Sequence, residues 1–221
     1  MDFVASQIYP GYGNALRSYN RALRARNFLL KRDNRPCWEQ IGAYTQLLVE
    51  HGTVICEARA NLVAALSPSA CHAQSVISGR DEPLGLDYVR SGGADLAAAY
   101  EQSADEDSRR RQTNVGPHRD DVILEIKGLA AGQFASEGQQ RTIALALKLA
   151  QAEVLRVAKD ADPILLIDDI FGELDQARRN ALLSYLPETS QKLITTTHLD
   201  WADGDFLNAA QRYEVDGNGV C

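Results

Sequence analysis

Lysine is scarce in this chain: Lys31, Lys127, Lys148, Lys159 and Lys192 are the five present in 221 residues. None follows a glycine. The phosphate-binding loop G-x-x-x-x-G-K-[ST], whose lysine neutralises nucleotide phosphates, is therefore absent from the sequence. Cysteine is equally sparse. Cys37, Cys56, Cys71 and Cys221 show no C-x-x-C spacing, which argues against the common zinc frames and predicts reduced thiols. No run approaches the ~20 consecutive apolar residues of a membrane helix. The opening MDFVASQIYPGYGNALR lacks the charged and apolar regions of a signal peptide. A cytoplasmic chain is the expectation.

What remains is an ordinary globular composition, with 45% hydrophobic and 24% charged residues. It argues against disorder and collagen-like repeats, and the length suits one unit of roughly 150 residues with a smaller companion. The formal charge of -7 averages very unequal segments. Arg17, Arg21, Arg24, Arg26, Lys31, Arg32 and Arg35 stand against Asp33 alone, a local excess of +6. Arg109-Arg110-Arg111 form a second cluster, diluted by Glu106 and Asp107.

Hydrophobic spacing organises the chain. Tyr12, Leu16, Tyr19, Leu23 and Leu30 recur on one helix face, with Arg17, Arg21 and Arg24 on another. Pro36 suits the first turn of a second helix. Its seam of Ile41, Tyr44, Leu48, His51, Ile55, Ala58, Leu62 and Ala65 is heptad-like, and Ser67-Pro68 is expected to end it. The two helices should form a short arm by burying their seams on each other. A loop-rich stretch follows, with a strand predicted at Leu84, Leu86 and Tyr88 and a helix over 94–111. A strand at Val122, Leu124 and Ile126 precedes a long helix over 139–159, apolar over so wide an arc that it should be buried in a larger body. Ile164-Leu165-Leu166-Ile167 reads as a buried parallel strand. A helix over 175–186 and strands over 192–196 and near 212–215 complete an α/β pattern.

The chemistry-bearing residues fall in the second half. Asp168 and Asp169 end the apolar strand, where α/β sheets present ligand sites and where acids can hold Mg²⁺ or polarise a water. A solvated turn is the plain alternative. Asp175 is a candidate helix cap after Leu174, and His198 follows a strand end. Ser136 and Gln139 match the S-x-x-Q capping box, and Gly138 permits close backbone approach at a helix start that can face a phosphate. Singly, each is as well explained by ordinary capping or looping; their order is the stronger signal.

That order resembles the C-terminal lobe of an ABC-type ATPase head, of the kind found in SMC-like chromosome-maintenance and repair proteins. Within that superfamily it is most similar to the RecF family of bacterial DNA replication and repair proteins. The resemblance rests on Thr113-Asn114-Val115-Gly116-Pro117-His118-Arg119-Asp120-Asp121, Phe134-Ala135-Ser136-Glu137-Gly138-Gln139-Gln140-Arg141, and Ile167-Asp168-Asp169-Ile170-Phe171-Gly172-Glu173-Leu174-Asp175. Tyr19-Asn20-Arg21-Ala22-Leu23 and Arg26-Asn27-Phe28-Leu29-Leu30-Lys31 resemble the family's entry into its helical second domain.

The resemblance implies an α/β fold, the C-terminal lobe of a P-loop ATPase head over 112–221 with an inserted, mainly helical arm over 1–111. It implies ATP sandwiched in a homodimer, with Asp168 on Mg²⁺, Asp169 in the catalytic-acid position and His198 sensing the γ-phosphate. Ser136, Gly138 and Gln139 would serve the partner's nucleotide, and Leu174 and Asp175 the dimer seam. Asp169 is one methylene shorter than the usual glutamate, which implies slow hydrolysis. Implied partners are DNA, through Arg17, Arg21, Arg24 and Lys31, and RecR/RecO-type repair proteins. Implied roles are recombinase loading on single-stranded or gapped DNA and the SOS response. Lacking the phosphate loop, the chain looks like an arm and C-terminal lobe without the N-terminal half, inactive in hydrolysis alone. A non-catalytic DNA- or protein-interaction module, or another SMC-like head fragment, remains the alternative.

Overall fold

A computed structural model describes residues 1–32, 37–202, 204–216 and 219–220. Asp33, Arg35, Pro36 and Cys221, used above, lie outside them. The chain forms two compact units, Met1–Ala161 and Asp162–Cys221.

The first unit runs α1 (Asp2–Ile8), α2 (Tyr12–Arg32), α3 (Trp38–Ser78), β1 (Leu84–Val89), α4 (Leu96–Gln102), α5 (Ala104–Arg110), β2 (Asp121–Ile126), β3 (Leu129–Ala130), α6 (Ala131–Phe134) and α7 (Glu137–Lys159). Its spine is α3, against which α2 and α7 both pack. Ile41, Leu48, Ile55 and Leu62 recur every seven residues of α3 and are fully buried. On α2 the buried set is Tyr12, Ala15, Tyr19, Ala22, Arg26 and Leu30, at spacings of three and four. Each large apolar side chain so buried contributes about 1.5–3 kcal/mol.

Proline does not end α3. Pro68 lies inside it, and the helix runs on to Gly79, whose left-handed backbone (φ +60°) caps it. An internal proline costs about 3 kcal/mol. Ala70, Ala73 and Ile77 continue the buried stripe beyond it and offset that cost. The predicted loop after Ser67 is thus mostly helix.

The helix over 94–111 divides at Ser103 into α4 and α5, with the Asp95 carboxylate accepting the Ala98 N–H at 3.0 Å to start α4. β1, β2 and β3 form an antiparallel sheet in that order, Leu84 opposite Ile126 and Tyr88 opposite Val122. The 111/112 division drawn from the motifs falls between α5 and β2, on the chain path from β1 to its partner strand. On α7 a narrow stripe of Thr142, Ile143, Ala146 and Ala150 is buried. Leu145, Leu147 and Leu149 are half-buried and Val157 is exposed, a narrower burial than its apolar arc predicted.

The second unit contains β4 (Leu165–Asp168), α8 (Ile170–Glu173), α9 (Gln176–Tyr185), β5 (Lys192–Thr195), α10 (Gly204–Ala209), β6 (Val215–Asp216) and β7 (Gly219–Val220). β4 and β5 pair in parallel, as the apolar run predicted. Burial is one-sided: Ile167 is buried, whereas Leu166, on the opposite face, is 75% exposed and its register partner Leu193 is exposed too. Such a run suits a strand covered on both faces, and among the described residues one face is covered. The strand expected near 212–215 begins at Val215, as β6, and pairs antiparallel with β7. Among the described residues, no helix is long and apolar enough to cross a membrane.

Candidate functional site

In the first unit, α7 starts with both halves of a capping box. The Gln139 N–H donates to Ser136 Oγ at 3.3 Å, and the Ser136 N–H donates to Gln139 Oε1 at 2.8 Å. Gln139 Nε2 then donates to Glu82 Oε1 at 3.2 Å. Ser136 is exposed and Gly138 is half-buried. The N–H groups of Glu137 and Gly138 precede the first intrahelical bond and give this helix end its affinity for anions.

The stretch 113–120 is packed by polar bonds rather than displayed. His118 Nε2 donates to the Thr113 carbonyl at 3.1 Å, so Nδ1 accepts from the Tyr19 hydroxyl at 2.7 Å. Tyr19 in turn bonds Tyr100 at 3.1 Å. Burial holds His118 below the ordinary histidine value and pushes the Tyr100 hydroxyl up to about 12. Gly116 has φ +118°, and a Cβ there would overlap the hydroxyls of Tyr100 and Tyr19. Arg59 Nη1 donates to the Pro117 carbonyl at 2.6 Å. Asp120 accepts from the Ser91 N–H at 2.8 Å and from the Tyr88 hydroxyl. The Gly116-Pro117-His118-Arg119 turn leads into β2, as a positioning turn should, and it also ties α2 and α3 together.

Below it lies an ion pair that the sequence did not announce. Arg26 Nη1 donates to Asp107 Oδ2 at 2.7 Å and to Thr113 Oγ1 at 2.8 Å, and its Nε donates to Thr45 Oγ1 at 3.0 Å. Asp107 Oδ1 accepts from the Asn114 N–H at 2.9 Å and from its Nδ2 at 2.8 Å. Arg26 was counted with the basic surface of α2; it is 1% exposed and leaves that set. Arg17, Arg21, Arg24 and Lys31 are exposed, at the spacings of one helix face, with exposed Phe28 between them.

In the second unit, β4 delivers Asp168 opposite Thr195, whose hydroxyl donates to Asp168 Oδ1. Both are exposed. Asp169 extends the ladder by donating its N–H to the Thr195 carbonyl at 3.1 Å, then turns the chain with φ +49°. Aspartate tolerates that left-handed backbone better than most residues. Phe171, buried just beyond, stacks on Trp201 with centroids 4.4 Å apart. Asp175 caps α9 as predicted, accepting the Arg178 N–H at 2.9 Å. Arg179 holds the preceding turn by donating to the Phe171 carbonyl at 3.0 Å and the Leu174 carbonyl at 2.8 Å. Leu174 is buried there.

His198 is exposed. Thr196 Oγ1 shapes its loop, donating to the His198 carbonyl at 2.8 Å and accepting from Trp201 Nε1 at 3.1 Å. The strand end thus gathers Asp168, Asp169 and Thr195, and His198 follows three residues later. Among the described residues no cluster of three or more His, Cys, Asp or Glu could hold a metal unaided. Thr195, Thr196, Arg179 and Glu82 were not anticipated. Thr195 and Thr196 left a trace in the sequence, in the Thr195-Thr196-Thr197 run at the strand end.

No family model matches the chain. A DNA replication and repair protein RecF from Cyanothece sp. is 38% identical over all of this chain and 62% of its own length. One from Chloroflexus aggregans is 35% identical over 98% of this chain and 60% of its own. The chain belongs to the RecF family. It matches a C-terminal portion and spans about 60% of the length of the RecF relatives compared. A solved structure of the recombination mediator protein RecF-ATP in the RecFOR pathway superposes with a TM-score of 0.78 at 29% identity, over 90% of this chain and 57% of that one. The corresponding RecF-ATPrS structure gives 0.79 at 30%, over 89% and 56%. The fold is therefore α/β, that of a RecF-type ABC/SMC ATPase head portion carrying a helical arm.

Proposed function

We propose that this chain is the arm and C-terminal lobe of an ATP-dependent DNA-binding protein of replication and recombinational repair, with 112–221 supplying the lobe motifs. The observation that carries the reading is the strand end, where Asp168, bonded to Thr195, and the next residue, Asp169, are both exposed. Hard oxygen donors of this kind fit Mg²⁺, which takes one or two carboxylates and completes its shell with water and phosphate. Bound there, Mg²⁺ would neutralise charge developing on transferred phosphate oxygens.

Asp168 is the metal residue in this reading, held in one rotamer by Thr195. Asp169 orients the attacking water, at a slow rate set by its short side chain. His198 senses the γ-phosphate from the loop that Thr196 shapes. Ser136 and the free N–H groups of Glu137 and Gly138 serve the partner's γ-phosphate. The Gln139 side chain is committed to Ser136 and Glu82, so its part is to hold that cap. Leu174 and Asp175 border the dimer seam. Mixing the chain with the N-terminal portion of a RecF relative should restore ATP-dependent dimerisation and weak ATPase activity, both lost in Asp168→Asn. No nucleotide binding in that mixture would overturn the ATPase reading and leave the interaction-module alternative.

Single-stranded or gapped duplex DNA is the proposed substrate, and RecR/RecO-type mediators the proposed partners, in recombinase loading and the SOS response. Arg17, Arg21, Arg24 and Lys31 lie along about 21 Å of one helix face, at 1.5 Å per residue. Four phosphate contacts there would lower log K by about 3.6 per unit of log salt on duplex DNA. Arg21→Glu with Arg24→Glu should roughly halve that slope; an unchanged slope would remove α2 as the DNA face.

A further inference from the structure

The N-terminus of α7 is joined to the far end of α3 by one buried carboxylate. Glu82 lies four residues beyond the end of α3 and is 7% exposed. Its Oε1 accepts from Gln139 Nε2 at 3.2 Å and stands 3.7 Å from Lys127 Nζ. The Lys127 N–H donates to the Pro83 carbonyl at 3.2 Å, which pins the corner of the β1–β2 sheet beside it. Gln139 spans the gap with both ends of its amide: Oε1 takes the Ser136 N–H, and Nε2 gives to Glu82. That orientation is forced, because a backbone N–H can only donate and a carboxylate can only accept.

We propose that Glu82 is a positioning residue for the Ser136–Gly138 cap, with Gln139 as the link and Lys127 as the balancing charge. A buried carboxylate holds its hydrogen-bond donor strongly, because losing that donor leaves the charge under-solvated. The cap therefore moves with the α3–β1 corner. Under the nucleotide reading proposed above, on which this functional consequence rests, displacement of the arm helix alters the cap offered to the partner's phosphate. The requirement is sharper than capping alone. A capping box accepts Glu or Gln equally at this position, whereas opposite Glu82 only an amide can donate.

Gln139→Glu separates the two demands, since it keeps the capping box and sets one carboxylate against another. Amide hydrogen exchange at Gln139, Gln140 and Arg141 should accelerate about tenfold in this variant of the chain. Adding Glu82→Gln exchanges donor and acceptor and should return those amides to within about twofold of the parent rate. Lys127→Gln, at an exposed site, should accelerate them by about twofold. Parent-like exchange in Gln139→Glu, or no recovery in the doubly substituted chain, would overturn the proposal. In the mixture with the N-terminal portion of a relative, the ATP concentration for half-maximal dimerisation should rise in Gln139→Glu and recover in the double variant. Failure of the parent to dimerise would overturn the nucleotide reading and leave the exchange result, and the tie, standing.

Discussion

Asp107 and Asp168 are the same residue used in opposite ways. Asp107, in the first unit, is fully buried and accepts from Arg26 and twice from Asn114, so its charge is spent on joining α2, α5 and the 113–120 stretch. Asp168, in the second, ends a strand in the open, with the Thr195 hydroxyl on one oxygen. The first unit also confines His118, Asp120 and Arg59 in partly buried bonds, to Tyr19, Tyr88 and the Pro117 carbonyl, whereas the second exposes Asp169 and His198. Polar motif residues therefore divide into those that build a body and those left able to meet a ligand, and burial separates the two.

The contrast can be broken most severely at Asp107. Asp107→Ala leaves Arg26 charged and enclosed, a loss of about 3–5 kcal/mol that urea denaturation should report as a large drop in midpoint. A midpoint close to the parent's would mean that the Arg26 network contributes little. Gly116→Ala comes next, since its methyl must displace two packed tyrosine hydroxyls at a left-handed backbone. About 1–3 kcal/mol should be lost, measured the same way.

A smaller effect follows from His118. Burial depresses its folded value below the ordinary histidine value of about 6.5, so the unfolded chain takes up the proton first as pH falls. Its contribution is complete above 6.5 and declines with falling pH until the lower folded value is passed. His118→Gln should flatten that part of a stability–pH curve. A slope unchanged by the substitution would assign the decline to other groups.

The smallest change in stability belongs to the second unit. Asp168→Asn should stay within about 0.5 kcal/mol of the parent, as exposed substitutions usually do, while abolishing the ATP-dependent association proposed above. A large destabilisation would place Asp168 with Asp107 and erase the distinction.

Much of this was legible in the residues. The seven-residue spacing of Ile41, Leu48, Ile55 and Leu62 announced α3, the S-x-x-Q pattern announced the cap of α7, and Asp175 was identified as the cap of α9. These signals are local, set by helix periodicity or by bonds spanning three residues. Pro68 misled because the burial that carries α3 past it comes from contacts distant in sequence. Arg26 misled because its partner is 81 residues away. Glu82 was invisible for the same reason, 57 residues from Gln139.

By itself the sequence determined the longer helices, apart from the end of α3, and most of the paired strands, the order of the motifs and the family they resemble, since all of these are written in spacing along the chain. Tertiary structure decided which charges are free. Arg26 and Arg24 are two residues apart on one helix, yet one is enclosed and the other faces water. A helix turns about 100° per residue, so two positions along it brings a side chain to the opposite face. The spacing of Tyr12, Tyr19 and Leu30 marks the face that is covered, but that an arginine can be enclosed on it depends on Asp107 and Thr113, which are distant in sequence and which no local pattern specifies.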